Sequence, residues 1–537
     1  MNINLNDISS ALTSQARGLH NFISEIRSSS SKDDERARVD KELANIRAKF
    51  VNSSQLSSYQ KKKYIWKLCY IYMLGYEVNF GHVEFISLIS AQKYQEKAAG
   101  YMAAALILKS GDELMTLVIN SMRNDIIGRV NYGQSLALAA IANIGGIDLS
   151  EALVSDVQRL VLESDSSAIA YLGGVDDARN KSFLIKKACL CLLRLWRNNI
   201  HCLDLSDWVS RLGQLIECGD NGVVTSTLSL LLGFAHEEPQ TFEPLIPYVI
   251  SLLTRLVVNR NVQPDYTYFG VPCPWIQVKC LKFLQLYSAP PEASTMRFLY
   301  EILERVLVNN GDNYNDSVNK SNTEHSVLFE SINLVISYGS SVEERVRIKV
   351  YELLGRFITA KDSNIRYLGL DAMTKLFRLE GSEDSRQFQD AILESLRHAD
   401  VSIRKRALEL VFVITNSENF EVMVGELIHT LETTDSTMKE EMVVKIAILA
   451  EKFSNDNLKW YVDVMVQVVL LAGDYVAEAV WHRIVLIVTN HDDIHEYAAE
   501  KLFTSIRNKW THDTAIALAA YLLGEVGFNI CAKPGTI

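Results

Sequence analysis

Apolar residues recur along much of this chain at three- and four-residue intervals, the spacing that gathers them on one face of a helix. In the C-terminal half the pattern itself repeats. Four segments align: Asp362-Ser363-Asn364-Ile365-Arg366, Asp400-Val401-Ser402-Ile403-Arg404, Asp435-Ser436-Thr437-Met438-Lys439 and Asp474-Tyr475-Val476-Ala477-Glu478. Their aspartates are 38, 35 and 39 residues apart. An Asp can accept a hydrogen bond from a first-turn N–H, so each marks a helix start. After each comes a helically spaced apolar set: Leu368, Leu370, Met373; Ala407, Leu408, Val411; Val443, Ile446, Ala447; Val480, Ile484, Val485. A weaker copy starts at Asp220 and runs into Val223, Val224, Leu228 and Leu231. Between copies lies a second amphipathic stretch, such as Phe388 to Leu396 or Trp460 to Leu471.

Two helices in every 35–40 residues predict an all-α fold, an alpha-alpha superhelix of the HEAT/armadillo-like solenoid kind. The Trp-Leu-Gly-Tyr pattern of tetratricopeptide repeats and the Thr-Pro-Leu-His of ankyrin repeats are both absent. Proline placement agrees with long helical stretches. Eight of nine prolines fall between Pro239 and Pro291, and the ninth is Pro534. Because proline breaks helix interiors, that belt predicts an irregular excursion near 260–275. The polar stretch 309–323 predicts an exposed loop.

Composition narrows the function without naming it. The chain has 537 residues, 48% hydrophobic and 22% charged, which fits a folded protein. No uninterrupted apolar run of about 18 residues predicts a membrane span, and the N-terminus lacks the order of a secretory signal. The eight cysteines are scattered, several within apolar helical runs, as buried reduced thiols would be. The net charge is −11, unevenly spread. Residues 1–70 hold twelve basic and seven acidic residues, +5, which leaves −16 for the remainder. An acidic body argues against a nucleic-acid partner, while the N-terminal end suits an anion.

Catalytic and cofactor signatures are missing. No Walker-type phosphate loop and no paired Cys-x-x-Cys occur. Cys189 and Cys191 sit about 200° apart on a helix and cannot share a metal without distortion. His491 and His495 have metal-compatible i,i+4 spacing but no evident third ligand, so a solvated helix start is the simpler reading. With no nucleophile beside an identifiable base, the sequence predicts neither an enzyme nor a cofactor.

One cluster stands out. Ser57-Ser58-Tyr59-Gln60-Lys61-Lys62-Lys63-Tyr64 precedes the apolar run Ile65 to Tyr76. Ser57 with Gln60 three residues on reads as a capping box. Three lysines then crowd a helix N-terminus, which already carries partial positive charge. The arrangement has two readings: a solvated lysine patch, or a surface that receives a phosphate. Lys67 shares the Lys63 face at i,i+4.

These residues also carry a resemblance. Lys41 to Arg47, Tyr59 to Tyr64, Leu74-Gly75-Tyr76 and Phe80-Gly81-His82 resemble the N-terminal trunk of the alpha-adaptins. Asp265-Tyr266-Thr267-Tyr268, Pro274-Trp275, Val327 to Glu330, Ile365 to Leu368, Val444 to Lys452 and Ala472 to Val476 continue it. It runs from about Arg17 to Gly527, nearly the whole chain, and looks more like alpha-adaptin than its gamma relative. The resemblance implies a large subunit of the plasma-membrane clathrin adaptor, cytoplasmic and peripheral at coated pits. It implies assembly with beta, mu and sigma subunits, indirect contact with clathrin, and selection of transmembrane cargo. By motif, Lys61, Lys62 and Lys63 would bind the head group of phosphatidylinositol 4,5-bisphosphate, assisted by Arg17 and then Tyr59, Tyr64 and Lys67. Arg27 would help the sigma subunit receive acidic dileucine cargo signals.

The expected layout is a tail at 1–16, a trunk solenoid at 17–530 and a tail at 531–537. The tail before Arg17 is longer than the family pattern, and the chain stops where the family continues into further helices, a hinge and an appendage. An incomplete trunk is the expectation, so no appendage function is carried over. Two other readings stay open: an adaptor or coat subunit at Golgi or endosomes, and a HEAT-repeat transport receptor without lipid contact.

Overall fold

The computed structural model describes residues 18–109, 111–128, 130–162, 175–309, 317–381, 383–454, 457–508 and 512–531. The expected tail at 1–16, together with Arg17, lies outside these, as does the second tail beyond Cys531. Helices account for nearly every element. They divide into two compact units, one ending at Ile302 and the other starting at Leu303.

The first unit opens with a helix at 18–27 (α1), followed by α2 (Lys32–Phe50), α3 (Ser58–Met73), α4 (His82–Ile89), α5 (Tyr94–Ile107), α6 (Met115–Ile127), α7 (Asn131–Ile144) and α8 (Ile147–Leu162). Two layers form because alternate helices pack on one another. One layer runs α3, α5, α7, then Val175–Asn198, Asn221–Glu237 and Pro274–Leu284. The other runs α4, α6 and α8. Each helix covers its apolar stripe with the next, as a solenoid requires. Leu138, Leu192 and Leu228 have no exposed surface; burying such a side chain contributes about 1.5–3 kcal/mol.

The proline belt shapes the end of this unit. Pro239–Val258 is apolar and long enough, by composition, to cross a membrane. Here Phe242, Val249, Leu253 and Leu256 lie in the core of the unit with no exposed surface. The excursion near 260–275 is a two-stranded hairpin, β1 (Thr267–Tyr268) against β2 (Val271–Pro272). Its loop residues Phe269 and Gly270 have φ of 46° and 85°, the left-handed pair that suits a tight hairpin.

The second unit repeats the two-layer scheme. Val318–Tyr338, Ser363–Glu380, Val401–Ile414 and Ser436–Lys452 form one layer, and Phe420–Thr433, Leu458–Ala472 and His495–Asn508 follow one another in the other. Asp362 and Asp400 cap their helices as the repeat predicts, accepting bonds from Asn364 N at 2.8 Å and Ser402 N at 2.8 Å. Two aspartates do not. Asp435 stands at a helix start without capping it, because its carboxylate pairs with Arg404 of the preceding repeat. Asp474 lies in a 3₁₀ turn and faces His512 Nδ1 at 3.1 Å, while the following helix starts later, at Glu478. Leu368, expected on an apolar face, is exposed. The loop expected at 309–323 does not hold at its ends: Asn309 closes one helix, and Ser317 caps another that already includes Val318 to Thr323, while 310–316 lie outside the described residues.

Candidate functional site

The lysine cluster sits where the sequence puts it, on the first turns of α3. Ser57 Oγ accepts from Gln60 N at 3.3 Å, and Gln60 Oε1 accepts from Ser57 N at 3.0 Å. This reciprocal box satisfies two end N–H groups and fixes where the helix begins. No acidic residue occupies the first turn.

The three ammonium groups have different surroundings. Lys61 Nζ lies 3.5 Å from Ser87 Oγ, and Lys62 Nζ donates to Gln95 Oε1 at 3.2 Å. Lys62 also sits over the Tyr59 ring at 5.8 Å. Lys63 Nζ lies over the Tyr64 ring at 4.7 Å. Burial holds the Lys63 pKa below its ordinary value, and the charges of Lys67 and Lys49 push the same way against Glu42. Among the described residues none of the three forms an ion pair with a carboxylate. Three half-buried cations so placed are an electrostatic load that a multiply charged anion would relieve.

Two predicted members are placed otherwise. Lys67 is buried, with Nζ 2.7 Å from Glu42 Oε1 and 5.0 Å from the centre of the Phe22 ring. Tyr64 is also buried, its ring meeting Phe50 edge-on at 6.0 Å. Both serve the packing of α3 on α1 and α2. The i,i+4 spacing of Lys63 and Lys67 gives a shared face but not what covers it.

Arg17 precedes the described residues. Its neighbour Gly18 does not: a Cβ there would meet Lys63 Cδ at 3.3 Å. The start of α1 therefore lies against the lysine cluster. Phe22, one turn further along α1, contacts Tyr70, two turns further along α3, with ring centres 6.2 Å apart. Arg27 is exposed at the far end of α1, about 13 Å along the axis from Gly18 at the helical rise. The structure thus separates Arg27 from the lysines.

Lys49 was not foreseen. It is exposed in the last turn of α2, close enough for its charge to act on Lys63. Fourteen residues separate the two in sequence, so no local pattern joins them. Elsewhere, Cys189 and Cys191 are fully buried, and among the described residues no group of three His, Cys, Asp or Glu side chains could hold a metal.

The family described as the adaptin N-terminal region matches residues 35–534. The chain belongs to the adaptin family. Among its relatives, AP-2 complex subunit alpha-1 of Arabidopsis thaliana is 42% identical over 97% of this chain and 50% of its own length. AP-2 complex subunit alpha-2 of Dictyostelium discoideum is 42% identical over 99% of this chain and 52% of its own. AP-1 complex subunit gamma-1 of Arabidopsis thaliana is more distant, at 29% over 95% of this chain and 55% of its own. The chain is more similar to these alpha subunits than to the gamma subunit, and it spans about half the length of the curated relatives it matches. The lysine cluster falls inside the matched adaptin region, whereas Arg17 and Arg27 precede it.

Proposed function

We propose that this adaptin is the large-subunit trunk of a clathrin adaptor that docks on the cytosolic leaflet of the plasma membrane. Lys61, Lys62 and Lys63 bind the phosphates of phosphatidylinositol 4,5-bisphosphate, with Lys49 adding charge, Tyr59 at the edge and Arg17 assisting. The trunk assembles with beta, mu and sigma subunits and reaches clathrin through them. Arg27, at the other end of α1, supports the sigma subunit in receiving dileucine cargo signals. No catalytic step is involved.

One observation carries the reading: three lysines share the first turns of a capped helix, with neutral or aromatic partners and no carboxylate among the described residues. The relatives named as AP-2 alpha subunits support the choice of complex. Basic residues near an anionic leaflet contribute about 1 kcal/mol each. Three or four give weak, salt-sensitive binding, so recruitment requires a second contact from a partner subunit. That makes docking a joint test for lipid and cargo.

The experiment is vesicle sedimentation with Lys61, Lys62 and Lys63 changed together to Glu. Binding to vesicles carrying the bisphosphate lipid should be lost. Unchanged binding at physiological salt removes the proposal.

A further inference from the structure

Opposite the lysines stands a second surface, made by the α4–α5 corner. It is anchored from behind by a buried network. Lys97 of α5 places Nζ 2.7 Å from the Ile89 carbonyl oxygen, and 2.8 and 2.6 Å from the two carboxylate oxygens of Asp125 in α6. Tyr101 donates its hydroxyl to the same carboxylate. Tyr132 of α7 donates to the Gln92 carbonyl at 3.0 Å. These bonds join α5 to α4 and tie the corner to two neighbouring helices, α6 and α7.

Two neutral oxygens face the cluster from this anchored surface: Ser87 Oγ towards Lys61 and Gln95 Oε1 towards Lys62. Their neutrality matters. A carboxylate at either place would form an ion pair that an incoming phosphate must break. A neutral acceptor orients the ammonium group and yields to a phosphate oxygen, whose charge-assisted bond is roughly twice as strong. We propose that Gln95, with Ser87 beside it, is a positioning residue that holds the Lys62 ammonium group ready for a phosphate. The α4–α5 corner is then the second wall of the head-group site. Lys93, exposed on that corner, pairs with Glu96 at 3.9 Å and adds no net charge to the wall. This inference rests on the lipid reading above.

A double-mutant cycle on the full chain tests it. Vesicles of phosphatidylcholine with phosphatidylinositol 4,5-bisphosphate are titrated with wild type, Gln95→Glu, Lys62→Gln and the double variant. Gln92→Glu, exposed on the same corner, controls for added negative charge. Gln95→Glu should weaken binding about three- to fivefold, the scale of an exposed ion pair, and more than Gln92→Glu does. The loss should largely disappear when Lys62 is already Gln. An equal cost in both backgrounds, or no excess over Gln92→Glu, overturns the assignment. Gln95→Ala adds no charge and should narrow the preference for the bisphosphate over phosphatidylserine vesicles of equal surface charge. An unchanged preference counts against it. If the triple-lysine variant abolishes binding while the cycle shows no coupling, only the role of Gln95 fails. If the triple variant binds normally, the lipid reading itself fails.

Discussion

Lys67 reaches back 25 residues to Glu42, placing Nζ 2.7 Å from Oε1, and both side chains are largely withdrawn from water. The pair fastens α3 to α2 on the helix that carries the half-buried lysine cluster. Removing one member leaves the other charge buried without a partner, which costs more than the pair contributes. Glu42→Ala should lose about 2–4 kcal/mol of stability, read as a shift of the urea midpoint. Lys67→Met with Glu42→Gln should recover most of it. If burial in this pair keeps Lys67 from the head group, vesicle binding by the double variant should match wild type; a loss would return Lys67 to the site.

Lys63 gives a pH prediction. Burial, with the charges of Lys67 and Lys49, holds its pKa below the ordinary 10.5. The folded state therefore disfavours the cation. The stability this group contributes is reduced at low pH and recovers as pH rises through the lowered pKa. Lipid binding has the opposite sign, since it needs the cation. In an alkaline titration, vesicle binding should fall before the ordinary lysine range is reached. Lys63→Arg, which stays charged, should move the fall to higher pH. Coincident curves for the two proteins would show that Lys63 does not contact the head group.

Asp220 offers a test of the repeat. Its carboxylate caps Asn221–Glu237, accepting from Gly222 N at 2.7 Å and Val223 N at 3.2 Å, and pairs with Lys186 at 3.0 Å. Burial pushes its pKa up, but Lys186 and the two N–H groups outweigh that and leave it below 3.8. The stabilisation is present above the unfolded value and lost as pH falls through the folded one. Asp220→Ala should cost about 1–2 kcal/mol near neutral pH, with the difference from wild type closing in acid. Asp435→Ala, which removes an ion pair and no cap, should cost at most about 1 kcal/mol. Thermal melts of the two variants, run side by side, separate these roles.

What the sequence discloses follows the range of each interaction. Caps and boxes close within three residues, so Ser57 with Gln60, Asp220, Asp362 and Asp400 were legible, and with them the two-helix repeat. Asp435 and Asp474 were misread because Arg404 and His512, 31 and 38 residues away, compete for their carboxylates. The burial of Lys67 and Tyr64 was not legible for a related reason: Glu42, Phe22 and Phe50 cover them from helices earlier in the chain. Lys49, Ser87 and Gln95 went unseen because only the packing of α2, α4 and α5 on α3 brings them to the cluster. The position of the lysines was local information; which of them stay available was not.

The central claim is that the tip of α3 recognises a phosphorylated inositol head group and not negative charge alone. The most direct measurement compares wild-type binding, at physiological salt, to vesicles carrying phosphatidylinositol 4,5-bisphosphate and to phosphatidylserine vesicles matched in surface charge. Clear preference for the bisphosphate, lost when Lys61, Lys62 and Lys63 become Glu, is the expected result. Equal binding to both surfaces, or a preference that survives the triple substitution, would contradict it.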